Sequence, residues 1–285
     1  MVDFLRREQL TTTYGYFLSQ FVKIYMNSNL LQIWDIAQNR MRAMFKGHTN
    51  EVNSIDFSPD GRSLVSGSDD HSVRIWNLRD GSSKKLPPAG PDCFLSVVFS
   101  PDGRYIAAGD PRYVLWIWDS RARKLVANWV GHSHAVWCVE FTPDGKGLMS
   151  GSTDRTIKYW DVSSLSHGAA FGRGAVAQGH SFPLIRSFSG HSVRFCIYFA
   201  WSIVNRSHLQ GDVRSIAFFP NNNEWFISSS DDKSVRVWDV RTGVWQLVVQ
   251  GHRSLVREVD ISRTGNFLVT ASFDRHVTLW RYEVL

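Results

Sequence analysis

Little in this 285-residue chain points to covalent or metal chemistry. Its three cysteines, Cys93, Cys138 and Cys196, have no C-x-x-C spacing and no even pairing, which argues against a disulfide framework or a thiolate metal site and fits a reducing compartment. No apolar run is long enough to span a bilayer. The opening MVDFLRREQL carries charged residues instead of a signal-peptide core, so neither a membrane nor a targeting segment is expected. A phosphate loop, an H-E-x-x-H motif and a unique nucleophile are all missing, so no enzyme activity, cofactor or metal is expected. The net charge of +6 favours acidic partners in general. The Lys and Arg residues are spread along the chain and not clustered, so direct nucleic-acid binding is not expected.

The sequence does have tryptophan at regular intervals. A similar phrase closes at Trp34 (LLQIWD), Trp76 (SVRIWN), Trp118 (VLWIWD), Trp160 (TIKYWD), Trp238 (SVRVWD) and Trp280 (HVTLWR), at spacings of 42, 42, 42, 78 and 42 residues. A fixed period in this range marks a repeat architecture. Within one unit, residues 47–76, VNSIDF reads as a strand, SPDG as a turn, SLVSGS as a second strand and SVRIW as a third after a tight turn. Each unit is thus expected to be a small antiparallel sheet, with a fourth strand after the Trp.

These phrases resemble the WD40 β-propellers over residues 29–285. The match is carried by the GH pairs (His48, His132, His191, His252), by an Asp six residues before Trp (Asp70, Asp154, Asp232, Asp274) and by the WD dipeptides at Trp34, Trp118, Trp160 and Trp238. The resemblance implies an all-β fold of four-stranded antiparallel blades. About six are expected here, the first irregular or incomplete, against seven in the family. Residues 1–28 match no repeat and read as part of an irregular first blade. It also implies a hydrogen-bond chain within each blade: His48, Ser66, Asp70 and Trp76; His132, Ser150, Asp154 and Trp160; His191, Ser228, Asp232 and Trp238; His252, Thr270, Asp274 and Trp280. Such a chain satisfies polar groups that stacked sheets would otherwise leave buried and unpaired. A Ser, a His and an Asp in one motif also suggest a catalytic triad, but several copies in one chain argue for a structural role.

The 78-residue gap holds two inserts. One, 163–189, is rich in Gly, Ser and Ala and reads as a flexible surface loop. The other, 193–210, is oily, and deleting it leaves GHSGDVRSIAFF in line with GHTNEVNSIDFS. Three readings fit that segment: a partner-binding patch, a segment packed across the propeller face, or a translated intron of 54 nucleotides, since its borders can be encoded by splice-like codons.

The order of irregularities resembles the C-terminal propeller of the fungal Tup-type transcriptional co-repressors, relatives in function of Groucho. The unit ending at Trp118 has no GH, reads YIAAG, closes with WDS and carries Arg112 where Asp is expected; the next unit is regular and is followed by a long insert. The resemblance implies a nuclear, non-enzymatic scaffold receiving peptide segments of DNA-bound repressors, with histone tails or co-repressor subunits as further candidates. The alternative is a cytoplasmic scaffold or substrate adaptor in ubiquitin transfer or signalling. In such a propeller the partner face is the rim formed by the opening residues of the innermost strands, Asn53, Leu95, Trp137, Arg214 and Arg257, and by the turn residues Asp69, Thr153, Asp231 and Phe273.

Overall fold

In a computed structural model, the described residues are 20–24, 29–35, 40–87, 92–165, 177–178, 181–191, 211–262 and 264–281. They form an all-β propeller of six sheets. The first sheet is Gln20–Ile24, Leu30–Asp35 and Arg40–Lys46. The second is Val52–Phe57, Ser63–Ser68, Ser72–Asn77 and Ser83–Lys85. The third is Ser96–Phe99, Tyr105–Gly109, Val114–Asp119 and Lys124–Val130, extended by the parallel pair Ala177–Gln178. The fourth is Val136–Phe141, Gly147–Ser152, Thr156–Asp161 and Leu184–Ser189. The fifth is Val213–Phe218, Trp225–Ser230, Ser234–Asp239 and Trp245–Gln250, and the sixth is Val256–Ile261, Phe267–Ser272 and Val277–Arg281.

Turn chemistry sets the strand lengths. In Ser58-Pro59-Asp60-Gly61, Gly61 adopts a φ of 67° and its N–H donates to the Ser58 carbonyl at 2.8 Å, while the Asp60 carboxylate accepts the Arg62 N–H at 3.0 Å. Only glycine enters that left-handed region without steric cost. The following strands then alternate, and their apolar residues pack sheet on sheet in chain order. Leu31, Ile33 and Phe45 of the first sheet meet Ile55, Phe57, Leu64 and Trp76 of the second. Ile227 and Val235 of the fifth meet Val256, Val259 and Leu268 of the sixth. At roughly 25 cal/mol per Å², a fully buried indole of about 200 Å² contributes on the order of 5 kcal/mol before entropy is counted.

The sixth sheet ends this series. Val277 is 58% exposed and Leu279 65%, whereas Val235, which occupies the position of Val277 one unit earlier, is 1% exposed. Among the described residues, no sheet covers that face.

The structure corrects one boundary expectation. Residues 163–189 are not wholly a loop. Leu184–Ser189 is the fourth strand of the fourth sheet, Phe182 packs edge-on against Trp129 at 5.2 Å, and the Tyr105 hydroxyl donates to the Leu165 carbonyl at 2.9 Å. Within residues 1–28, Gln20–Ile24 pairs with Leu30–Asp35 and belongs to the first sheet. The oily segment 193–210 and residues 1–19 lie outside the described residues.

Candidate protein-interaction face

Two sets of polar side chains recur from sheet to sheet. The first is interior. Trp76 Nε1–H donates to Ser66 Oγ at 2.7 Å, the hydroxyl meets His48 Nε2 at 2.6 Å, and His48 Nδ1 meets Asp70 Oδ2 at 2.8 Å. A carboxylate only accepts, so Nδ1 carries the proton and Nε2 accepts from the serine; every donor points the same way. The corresponding distances are 2.9, 2.7 and 2.8 Å for Trp160, Ser150, His132 and Asp154. They are 2.7, 2.8 and 2.8 Å for Trp238, Ser228, His191 and Asp232, and 2.9, 2.6 and 2.9 Å for Trp280, Thr270, His252 and Asp274. The 41 residues separating His191 from Asp232 leave this geometry unchanged from sheets where the separation is 22. Sequence reasoning missed Thr156 and Ser234, which donate to the second carboxylate oxygen at 2.6 Å, and Ser72, which does the same to Asp70. Each stands two residues after its Asp, a signal that was present in the sequence.

The electrostatics agree with a neutral imidazole beside an ionised carboxylate. Burial lowers the pKa of His48 and His191 against the pull of their Asp partners. Burial alone would raise Asp232, but hydrogen bonding and charge from His191 and bonds from Ser234 bring it down to about 2; Asp70, Asp154 and Asp274 move in the same direction. Ser66, Ser150 and Ser228 are each 0% exposed, so no substrate reaches these hydroxyls.

The second set stands at the opening of the innermost strands. In four sheets the strand pairing skips one residue, between Val52 and Ser54, Val136 and Cys138, Val213 and Ser215, and Val256 and Glu258. The skipped residues are Asn53, Trp137, Arg214 and Arg257. A β-bulge frees a side chain from the strict alternation and re-aims it. In three of the four sheets the bulged residue bonds the turn residue of its own sheet: Asn53 Nδ2 to Asp69 Oδ1 at 2.5 Å, Trp137 Nε1 to Thr153 Oγ1 at 2.7 Å, and Arg214 Nε to Asp231 Oδ1 at 2.8 Å with its Nη2 on the other oxygen. Links between sheets follow. Asn53 also donates to the Phe94 carbonyl at 3.2 Å, Thr153 Oγ1 donates to Asp212 Oδ2 at 3.0 Å, and Arg214 lies 3.3 Å from Asp212. Asp212 had no distinguishing signal, because the equivalent positions hold Glu51, Ala135 and Leu255.

Trp137 sits at the centre of this set. The Arg214 guanidinium lies 4.1 Å from its ring centroid and that of Arg257 lies 5.5 Å away, so three successive sheets converge on one indole. Leu95 differs: it precedes the innermost strand of the third sheet, which begins at Ser96, its N–H donates to the Gly109 carbonyl at 3.0 Å, and its apolar side chain brings no polar group to the rim. Phe273 is 43% exposed. A rigid aromatic and guanidinium surface of this kind is a general device for holding peptide segments, because the ordering cost is already met in the free protein. Among the described residues, no group of His, Cys, Asp and Glu is arranged to hold a metal, and no helix is long and apolar enough to cross a membrane.

Fold and rim together define a β-propeller interaction scaffold. The chain matches the family model "WD domain, G-beta repeat" at residues 39–77, 123–161, 201–239 and 243–281, more than half of its length, and it belongs to the WD40 family. It is 42% identical over 67 residues to the nuclear distribution protein PAC1 of Komagataella phaffii, a stretch covering 24% of this chain and 13% of that protein. The pre-mRNA-splicing factor PRP46 of Saccharomyces cerevisiae is 41% identical over 71 residues, 25% of this chain and 16% of its own. The protein groucho of Drosophila melanogaster is 41% identical over 51 residues, 18% of this chain and 7% of its own. The chain therefore spans only a small part of each of these relatives.

Proposed function

We propose that this scaffold is a transcriptional co-repressor whose bulged rim receives peptide segments of DNA-bound repressors in the nucleus. The observation that carries the reading is Trp137, a tryptophan on the rim instead of in a core, flanked by Arg214 and Arg257 and fixed by Thr153. The stretch similar to protein groucho and the order of irregular units support the choice of partner. No catalytic role is proposed for the Ser, His and Asp sets, because their hydroxyls are buried and bonded on both sides. Tethering the full chain to DNA through a fused binding domain should lower transcription of an adjacent reporter, and Trp137→Ala should restore it while the chain stays folded. Unchanged transcription with the wild-type chain would overturn the co-repressor reading. A second reading, a scaffold of a different assembly, is favoured by the longer stretches shared with PAC1 and PRP46. Affinity capture from nuclear and cytoplasmic fractions separates the two by partner.

A further inference from the structure

At the sixth sheet the pattern of the rim breaks. In the second, fourth and fifth sheets the bulged residue finds an acceptor on its own turn: Asp69, Thr153 or Asp231. In the sixth, the bulged residue is Arg257 and the turn position holds Phe273, which accepts nothing. Neighbouring carboxylates are engaged elsewhere. Glu258 accepts the Ser215 hydroxyl at 2.6 Å, and Asp231 and Asp212 hold Arg214. Among the described residues, no carboxylate lies within ion-pair distance of the Arg257 guanidinium. It lies against Trp137 beside the second cation, Arg214, which adds to the effect of burial in disfavouring its charge. A half-buried guanidinium keeps its proton, so its donors stand without a bonded carboxylate, and only the more distant charges of Glu258 and Asp231 attract it. Phe273, on the same sheet's turn, is exposed where the turns of the second, fourth and fifth sheets carry polar groups.

We infer that Arg257 and Phe273 form a two-part anchor for an acidic peptide segment, in which an Asp or Glu carboxylate meets the guanidinium and an adjacent apolar side chain covers the Phe273 ring. This rests on the reading that the rim receives peptides, and it specifies their chemistry. A carboxylate matches the fork of a guanidinium in a bidentate pair, and its charge relieves the repulsion between Arg214 and Arg257. The rest of the rim favours one acid over a polyanion. Asp69, Asp231 and Asp212 stand among the cations and repel a run of phosphates, so a nucleic acid fits this surface poorly.

The test uses the full chain. A phage-displayed library of random short peptides is selected on the wild-type protein, and the dominant peptide is synthesised in three forms: as selected, with each Asp and Glu replaced by Asn and Gln, and with phosphoserine at the acidic positions. Titration calorimetry of the selected form should show binding weakened about tenfold by Arg257→Gln and less by Arg257→Lys, with Phe273→Ser weakening it about fivefold, as expected for anchor residues. The amide form should lose about the same factor on the wild type and nothing more on Arg257→Gln, because both changes remove one pair. An unchanged melting midpoint in Arg257→Gln keeps loss of charge apart from loss of fold. Equal binding by the amide form, or by Arg257→Gln, overturns the anchor. Tighter binding by the phosphoserine form overturns the assignment to carboxylates. If Trp137→Ala weakens binding while Arg257→Gln and Phe273→Ser do not, the anchor falls and the rim reading stands. If none of the three matters, or the library gives no binder, both fall.

Discussion

The third sheet and the second, fourth and fifth bury the corresponding tryptophan by different means. In the second, fourth and fifth, an indole N–H feeds Ser66, Ser150 or Ser228, then a histidine, then an aspartate. In the third, Ala108 stands at the serine position and no GH histidine precedes the unit; Trp118 is 0% exposed, yet among the described residues its Nε1–H has no partner. Trp116 compensates by stacking on Trp118 at 6.1 Å and 12° and by donating to Asp110 at 2.8 Å. The difference teaches that apolar packing alone keeps the indole inside. The polar chain instead ties the incoming loop to the turn before the third strand. The acids report the same contrast: Asp110, without an imidazole partner, has its pKa raised by burial, while Asp70, Asp154 and Asp232 are lowered.

Removing one link should break the comparison most sharply. Ser228→Ala leaves both the Trp238 N–H and the His191 Nε2 buried without a partner, and should cost about 2 kcal/mol in chemical denaturation. An unchanged midpoint would mean that a linked sheet tolerates an orphaned indole as the third sheet does. Next in size is the response to acid. His48 and His191 are held neutral, so the unfolded chain takes up protons first: their contribution is complete above about pH 6.5 and falls as the pH drops through that value. Asp232, held near 2, adds a further loss as the pH falls from about 4 toward 2, and Asp110 works in the opposite sense. Thermal midpoints should therefore decline from pH 7 to 5 and again below 4, and His191→Gln should flatten the first step. A flat profile in the wild type would contradict the neutral imidazoles. The smallest effect sharpens the comparison from the other side. Ala108→Ser offers the Trp118 N–H an acceptor and should stabilise by no more than about 1 kcal/mol, because its own hydroxyl proton has no imidazole to meet. A loss of stability would show that the third sheet has no room for the hydroxyl.

Much of this was legible in the sequence because tryptophan spacing, GH pairs and Pro-Asp-Gly turns are local signals. The all-β propeller and its sheet order followed from them. The third unit misled, since Arg112 was compared with the aspartates six residues before Trp118, whereas the structure pairs Asp110 with Trp116, the same interval two residues earlier. The strand Leu184–Ser189 was hidden in a loop-like stretch because its Leu184 and Ile185 are exposed on an outer edge, where alternation carries no burial signal. The bulges left a trace that was not used. Apolar residues fall three apart and then two apart in Val52, Ile55 and Phe57, and again in Val136, Val139 and Phe141, and in Val213, Ile216 and Phe218. That break in period marks the skipped residue. What stands opposite each bulged side chain depends on the turn brought beside it by folding, which spacing alone does not give.

The polar residues divide between an interior set that holds the sheets and a bulged set proposed to meet partners, and one spectrum reads both. In ¹⁵N-labelled protein each of the 12 tryptophans contributes one indole N–H resonance. On titration with the library-selected peptide, the Trp137 resonance should shift while those of Trp76, Trp160 and Trp238 stay in place. Movement of the three interior indoles, or a Trp137 resonance that does not respond to a peptide that binds, would contradict the division.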